Sequence, residues 1–168
     1  MLEGKLVILR QITADDTDHI VNWRNNPAVR QNFIYREPFT REMHEKWLAE
    51  KVSTGEVLQY VIEEKKTGIP VGSVYLRDID LENGKAEFGI FIGEDIARGK
   101  GLGTEATKIF VDYAKTLGLN ELFLRLILGN TAAHECYLKA GFEDEREEPS
   151  FSSDGEAINV IFMKKALR

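Results

Sequence analysis

Apolar and polar residues alternate from Lys5 to Gln11, in a stretch rich in Leu, Val and Ile, which predicts a strand. Thr13 then reads as an N-cap, with Asp15 and Asp16 in a first turn whose dipole favours negative charge. The helix should run to about Asn25, where Asn26-Pro27 breaks it. Pro27 to Phe39 has no period and two prolines, so it reads as a loop with room for one helical turn. Thr40 caps a second helix whose Met43, Trp47 and Leu48 share a face. Strands are expected at Val57–Glu64 and Val71–Asp78, joined through Lys66-Thr67-Gly68, and at Lys85–Gly93. Asn83-Gly84 is the strongest short hairpin signal, because both residues tolerate positive φ. A long helix is predicted from about Gly101 to Leu117: Leu102, Ala106, Ile109, Phe110, Tyr113, Ala114 and Leu117 recur near the 3.6-residue period, and Gly118 suits C′. Leu119–Leu128 reads as a buried strand. Thr131–Ala140 reads as a helix with Ala133, Cys136, Tyr137 and Ala140 on one face, closed by Gly141. Phe142 onward and Glu156–Lys165 form a last antiparallel pair around Ser153-Asp154-Gly155. The order β-α-α-β-β-β-α-β-α-β-β predicts a single α/β (α+β) domain over residues 1–168, a mixed sheet with helices on both faces.

Composition narrows the function classes. The chain has 168 residues, 43% hydrophobic and 30% charged, with a net charge of −6. An acidic balance argues against a nucleic-acid partner, which calls for a basic face. Cys136 is alone, so there is no internal disulfide, and His19, His44 and His134 are scattered with no zinc spacing; no metal is expected. No stretch has the length to cross a bilayer, so no membrane role is expected. Met1 to Lys5 lacks a signal-peptide run and Gly4 is misplaced for myristoylation, which makes a reducing, cytoplasmic setting the expectation. Glu143 to Glu148 is a charge run that reads as a solvated strand face.

The most informative segment is Arg98-Gly99-Lys100-Gly101-Leu102-Gly103, between a strand and a long helix. Three glycines permit close backbone approach, the free N–H groups of the first helical turn converge on one point, and Arg98 and Lys100 add full charges. Such a turn suits a pyrophosphate. GxxxxGK[ST] is absent, and Thr104 stands where a dinucleotide turn needs its third glycine, so neither rival phosphate motif fits. The plainer alternative is a loop whose glycines serve only the turn.

Arg98-x-x-Gly101-x-Gly103 resembles the [QR]xxGx[GA] acetyl-CoA signature of the GNAT superfamily of N-acetyltransferases. Glu87-Phe88-Gly89-Ile90-Phe91-Ile92-Gly93 is similar to that superfamily's fourth strand, and Thr104-Glu105-Ala106 opens the helix as in many members. Asn130-Thr131-Ala132-Ala133-His134-Glu135-Cys136-Tyr137-Leu138-Lys139-Ala140-Gly141-Phe142 resembles its Asn…Ala…Tyr…Gly-Phe element. The resemblance implies a mainly antiparallel sheet, acetyl-CoA as co-substrate, and direct attack by a primary amine on the thioester. It assigns cofactor binding to Phe91, Ile92, Arg98, Gly99, Lys100, Gly101, Leu102, Gly103, Thr104 and Asn130. A backbone N–H of Phe91 or Ile92 would meet the oxyanion. Glu87 stands where many members carry a general base, against the alternative of a surface glutamate beside Lys85. Tyr137 matches the general acid, with a free pKa of about 10, against the alternative of a core tyrosine. Asn130 would cap its helix and reach the pantetheine arm. Cys136 reads as a small buried hydrophobe rather than a nucleophile, and His134 as an exposed helix residue.

The acceptor should enter on the opposite side, past Trp23, Arg24, Asn25, Phe33 and Tyr35. These residues could hold the acceptor, or Trp23 could simply staple helix to core. The Trp-Arg-Asn cluster and Gly72-Ser73-Val74 are similar to the flagellin-sugar branch, which implies a nucleotide-linked 4-amino sugar, and Arg24, Arg30 and Arg36 would suit a nucleotide diphosphate. The glycine run is equally at home in ribosomal-protein N-terminal and polyamine acetyltransferases. A non-catalytic acyl-CoA-binding module is the rival of another class, and Glu87 with Tyr137 tilts against it. Dimers are common in the superfamily, so a homodimer is a candidate assembly.

Overall fold

Val7–Gln11 forms strand β2, which buries Val7 and Leu9, and a two-residue strand β1 (Leu2–Glu3) extends the edge beside it. In this computed structural model, which describes residues Met1–Arg168, Thr13 is a cap as expected. It starts a 3-10 turn, Ala14–Asp16, through a capping box in which the Asp16 carboxylate accepts from the Thr13 N–H. Helix α1 (Thr17–Asn25) follows. Asn26 accepts from the Ala28 N–H and starts a one-turn helix α2 (Pro27–Arg30). Thr40 caps α3 (Arg41–Trp47), which runs on into a π turn over Leu48–Val52. The residue that α3 buries is His44, whose Nδ1 lies 3.0 Å from the Thr17 hydroxyl; Met43 is only half-buried.

Strands β3 (Leu58–Glu64), β4 (Pro70–Asp80) and β5 (Lys85–Ile92) form an antiparallel meander. The Asn83-Gly84 turn departs from the two-residue form. Only Gly84 takes positive φ (69°), while Asn83 bonds the Asp80 carboxylate through its N–H and its amide. Asp80 pairs with Lys85 across a four-residue loop, and the register shifts behind it where Asp78 sits at φ 51°. The Asp80 side chain supplies the acceptor that a tighter turn would have found in the backbone.

Helix α4 (Leu102–Thr116), strand β6 (Glu121–Ile127), helix α5 (Thr131–Lys139) and strands β7 (Glu143–Phe151) and β8 (Ala157–Ala166) complete the order. The sheet runs β1-β2-β3-β4-β5-β6-β8-β7, and only β5 and β6 are parallel. The charge run lies on β7, whose exposed carboxylates and Arg146 blunt an outer edge. One face of the sheet packs Val74, Leu76, Phe88, Leu122 and Leu124 against Leu102, Ala106 and Phe110 of α4. The other face gathers Ile12, Ile20, Trp23 and Val61, with Phe39, Leu48 and Phe91 around them. The two faces supply the two sides of the site.

Candidate active site

The site begins where two parallel strands part. β5 pairs with β6 only at Lys85–Glu87 against Glu121–Phe123, yet β5 continues to Ile92 and β6 to Ile127. Beyond Glu87 the facing edges are therefore open. The bond from Gly93 N–H to Val71 C=O sets the parity of the β4–β5 ladder. Glu87, Gly89 and Phe91 turn their backbone groups to β4, and Phe88, Ile90 and Ile92 turn theirs to the gap. This corrects Phe91 as an oxyanion donor: its N–H faces β4, and its ring meets Trp23 and Phe33 on the other side of the sheet. Ile92 keeps its place at the gap. Gly72 is required beside it, since a Cβ there would lie 2.2 Å from the Phe91 carbonyl oxygen.

The glycine turn stands at the mouth of the gap. Gly99 and Gly101 take positive φ (78° and 80°), a region where a side chain would be strained. Glu105 is the first N–H of α4 to find a backbone acceptor, at Gly101, so the N–H groups of Leu102, Gly103 and Thr104 remain directed outward. The Leu102 side chain is buried in the core and only its backbone is available. Arg98 is fixed across the edge of β5, donating to the Ile92 carbonyl at 2.9 Å and paired with Asp95, which also accepts from the Asn26 amide. Lys100 is half-exposed with Glu64 3.8 Å away. Open strand edge, outward N–H groups and two cations fit an amide-bearing arm that ends in a pyrophosphate. Sequence reasoning did not find Glu105, whose carboxylate accepts from the N–H groups of Lys5, Leu6 and Val7 and so ties β2 to the start of α4.

Tyr137 packs edge-on against Phe88, the first β5 residue beyond the paired stretch, and against Phe142. It is buried, and burial pushes its phenol well above the ordinary tyrosine range. The phenol is thus held neutral beside Phe88, where the gap begins. The Thr104 hydroxyl faces Cys136 Sγ at 3.5 Å, so that thiol is a contact between α4 and α5. Asn130 starts α5 but its side chain makes no capping bond, which corrects the cap assigned to it. His134 is not an exposed helix residue; it is half-buried and its Nε2 lies 2.7 Å from Asp144. No group of three or more metal-ligating side chains converges anywhere.

The opposite face carries the charge. Glu87 is buried there, with Arg77 at 3.0 Å and Arg125 at 3.3 Å. One guanidinium nitrogen of each arginine is shared between its two oxygens, so it is an anchored counter-ion and not a surface partner of Lys85. Lys85 faces Glu121 instead. Tyr75 covers Gly89, where an added Cβ would fall 2.2 Å from the ring. Arg24 has no carboxylate partner: its guanidinium lies 4.1 Å from the Phe33 ring and 4.6 Å from the Phe39 ring.

Two residues assigned to the acceptor have structural duties. Trp23 is buried, donates to Glu94 at 2.8 Å, and lies so close to Gly93 that a Cβ there would meet its ring at 2.0 Å. Asn25 spends its amide on Phe39, donating to its carbonyl and accepting from its N–H. Arg36 is buried in internal bonds and is not free for a diphosphate, while Arg30 spends its Nε on the Arg36 carbonyl. Arg24, Phe33 and an exposed Tyr35 remain to meet a ligand.

Comparison with known proteins agrees with this geometry. A family model described as an acetyltransferase (GNAT) domain matches residues 7–143. An uncharacterised protein of Methanocaldococcus jannaschii is 27% identical over 86% of the chain, which spans only 30% of that protein's length. The spermidine N(1)-acetyltransferase of Escherichia coli is 31% identical over 94% of the chain and 84% of its own length. Among solved structures, Vibrio cholerae spermidine N-acetyltransferase in complex with CoA and spermine superimposes with a TM-score of 0.88 at 24% identity, covering 98% of this chain and 97% of that one.

Proposed function

This chain belongs to the GNAT acetyltransferase family and uses acetyl-CoA to acetylate an amine, and from that premise we propose that its acceptor is a primary amine on an anionic molecule, of which a nucleotide-linked amino sugar is the best fit. The observation that carries this reading is the charge on the acceptor face. Arg24 has no carboxylate partner, and Glu87 alone answers both Arg77 and Arg125. A polycation meets a surplus of positive charge there, whereas phosphate oxygens meet guanidinium donors packed beside two phenylalanine rings.

In this reading the thioester supplies an activated acetyl group, and the chain's residues do the rest. Outward N–H groups at Leu102, Gly103 and Thr104, with Arg98 and Lys100, bind the pyrophosphate. The open edge at Phe88, Ile90 and Ile92 aligns the arm, and an Ile90 or Ile92 N–H stabilises the developing oxyanion. Tyr137 protonates the leaving thiolate. With Glu87 engaged by its arginines, the amine proton leaves to water, and positioning supplies most of the rate.

The test is release of free CoA from acetyl-CoA with a nucleotide-linked 4-amino sugar, spermidine, aminoglycosides and peptides with free N-termini. Turnover of the anionic amine, with its KM raised by Arg24→Ala, supports the proposal. A polyamine acceptor is the second reading, favoured by the name of the Escherichia coli relative. Spermidine turning over better than every anionic amine would decide for it.

A further inference from the structure

Arg36 lies in the segment between α2 and α3, and it is one of the few charged side chains that the fold buries. Its Nε donates to the Phe33 carbonyl at 3.0 Å and its Nη2 to the Gln31 carbonyl at 2.7 Å, so the guanidinium closes residues 31–36 into a ring. Its Nη1 reaches the β7–β8 hairpin: Glu156 at 2.9 Å, Asp154 at 3.6 Å and the Ser152 hydroxyl at 3.5 Å. The backbone repeats the link. The Arg36 N–H donates to the Ser153 hydroxyl at 2.6 Å, and the Ser153 N–H donates to the Ile34 carbonyl at 2.8 Å. Ile34 also packs on Ile127, Ile158 and Val160 at the end of β6 and β8. Loop and hairpin are therefore one body, joined across 117 positions of sequence.

That body ends on the acceptor face. Phe33, whose carbonyl Arg36 holds, stacks edge-on against Phe91 at 5.7 Å and forms one wall of the Arg24 cage. We infer that Arg36 is a positioning residue for the acceptor: by clasping the 31–36 loop to the 152–156 hairpin it sets Phe33, and through Phe33 the direction in which Arg24 presents its donors. The inference rests on the acceptor entering at this face. It touches neither the glycine turn nor the gap, so the acetyl-CoA side should not sense it.

The experiment compares Arg36→Ala, Arg36→Lys and Ser153→Ala with the parent enzyme. The readouts are hydrogen exchange of residues 27–39 and 150–157, and KM and kcat for acetyl-CoA and for whichever amine the panel identifies. Arg36→Ala should speed exchange in both segments together while the α4 amides from Glu105 onward keep their protection. Acceptor KM should rise about tenfold or more, the scale of one or two charged hydrogen bonds, with acetyl-CoA KM within about twofold. Arg36→Lys should recover part of the KM, and Ser153→Ala, which removes one acceptor without emptying the buried site, should show the same pattern more weakly. Exchange that rises in only one segment overturns the clasp. Joint loosening with an unchanged acceptor KM, or with an equal rise in acetyl-CoA KM, overturns the positioning role. The exchange readout needs no acceptor, so a wrong acceptor class and a wrong clasp give different results.

Discussion

Replacing Glu87 with Gln separates a counter-ion from a base. The carboxylate is 9% exposed and makes four contacts of 3.0–3.4 Å to Arg77 and Arg125, which are themselves 34% and 37% exposed. Removing one partner from a fully buried ion pair costs about 3–5 kcal/mol, and from an exposed pair about 0–1. Here the carboxylate is desolvated but both cations can rehydrate, so Glu87→Gln should cost about 2 kcal/mol. In a domain of this size that is a fall in Tm of about 4–8 °C. Thermal unfolding measures it directly, and a double-mutant cycle with Arg125→Met should show coupling of about 1 kcal/mol or more, because the two side chains share a contact. The pH profile of kcat/KM should keep its acidic limb, since no proton passes through Glu87. A general base would behave in the opposite way: removing it would cost about 10²–10⁴ in rate and erase the acidic limb, with little change in Tm. That outcome would refute the counter-ion argument.

Gly89→Ala should lower stability by the cost of overpacking, about 1–3 kcal/mol, because the new methyl falls 2.2 Å from the phenol end of Tyr75; a neutral effect in thermal unfolding would mean that Tyr75 swings away freely. Arg98→Ala should weaken acetyl-CoA binding by about tenfold or more, measured by calorimetry, while leaving Tm nearly unchanged, since its partner Asp95 is exposed. His44 has a buried Nε2 with no partner, and burial holds its imidazole below the ordinary histidine range, with Asp16, Glu45, Arg24 and Arg41 as the facing charges. Its neutral form is favoured by folding, so its contribution is full above about pH 6.5 and is lost as pH falls below that value. His44→Phe should therefore flatten the loss of Tm between about pH 7 and pH 5, and an identical slope in both proteins would remove His44 from the acid response.

The elements that could be read from the pattern were those whose own residues decide them. Helix α4 has an apolar stripe four turns long and glycines at both ends, and it falls within a residue of its expected bounds. The β5 strand and its junction with the glycine turn were equally clear. The misses are local structures decided by a side chain reaching a neighbour. Asn26 accepts from Ala28 and so places at Pro27–Arg30 the one helical turn for which that segment had room, a position the pattern did not give. Asp80 binds Asn83 and widens a turn that the Asn-Gly pair alone would have made tight. Hydrophobic period carries no information about such bonds.

The same distinction divides the two halves of the site. The cofactor side is made of backbone: open N–H groups, glycines at positive φ, and a strand edge with no partner. Glycine spacing and element order reveal backbone geometry, so the open turn at the start of α4 was legible in the sequence. Even there, parity removes Phe91 from the pair Phe91 or Ile92 expected at the gap, because which way an N–H points depends on the ladder with β4 and not on residue type. The acceptor side is made of side chains that meet across the fold. Trp23 rests on Gly93, Asn25 holds Phe39, and Arg36 reaches a hairpin more than a hundred positions away. A Trp-Arg-Asn cluster looks alike whether its members touch a ligand or one another. Only the partners tell them apart, and in this chain they leave Arg24, caged by two rings, as the member of the cluster with no carboxylate opposite it.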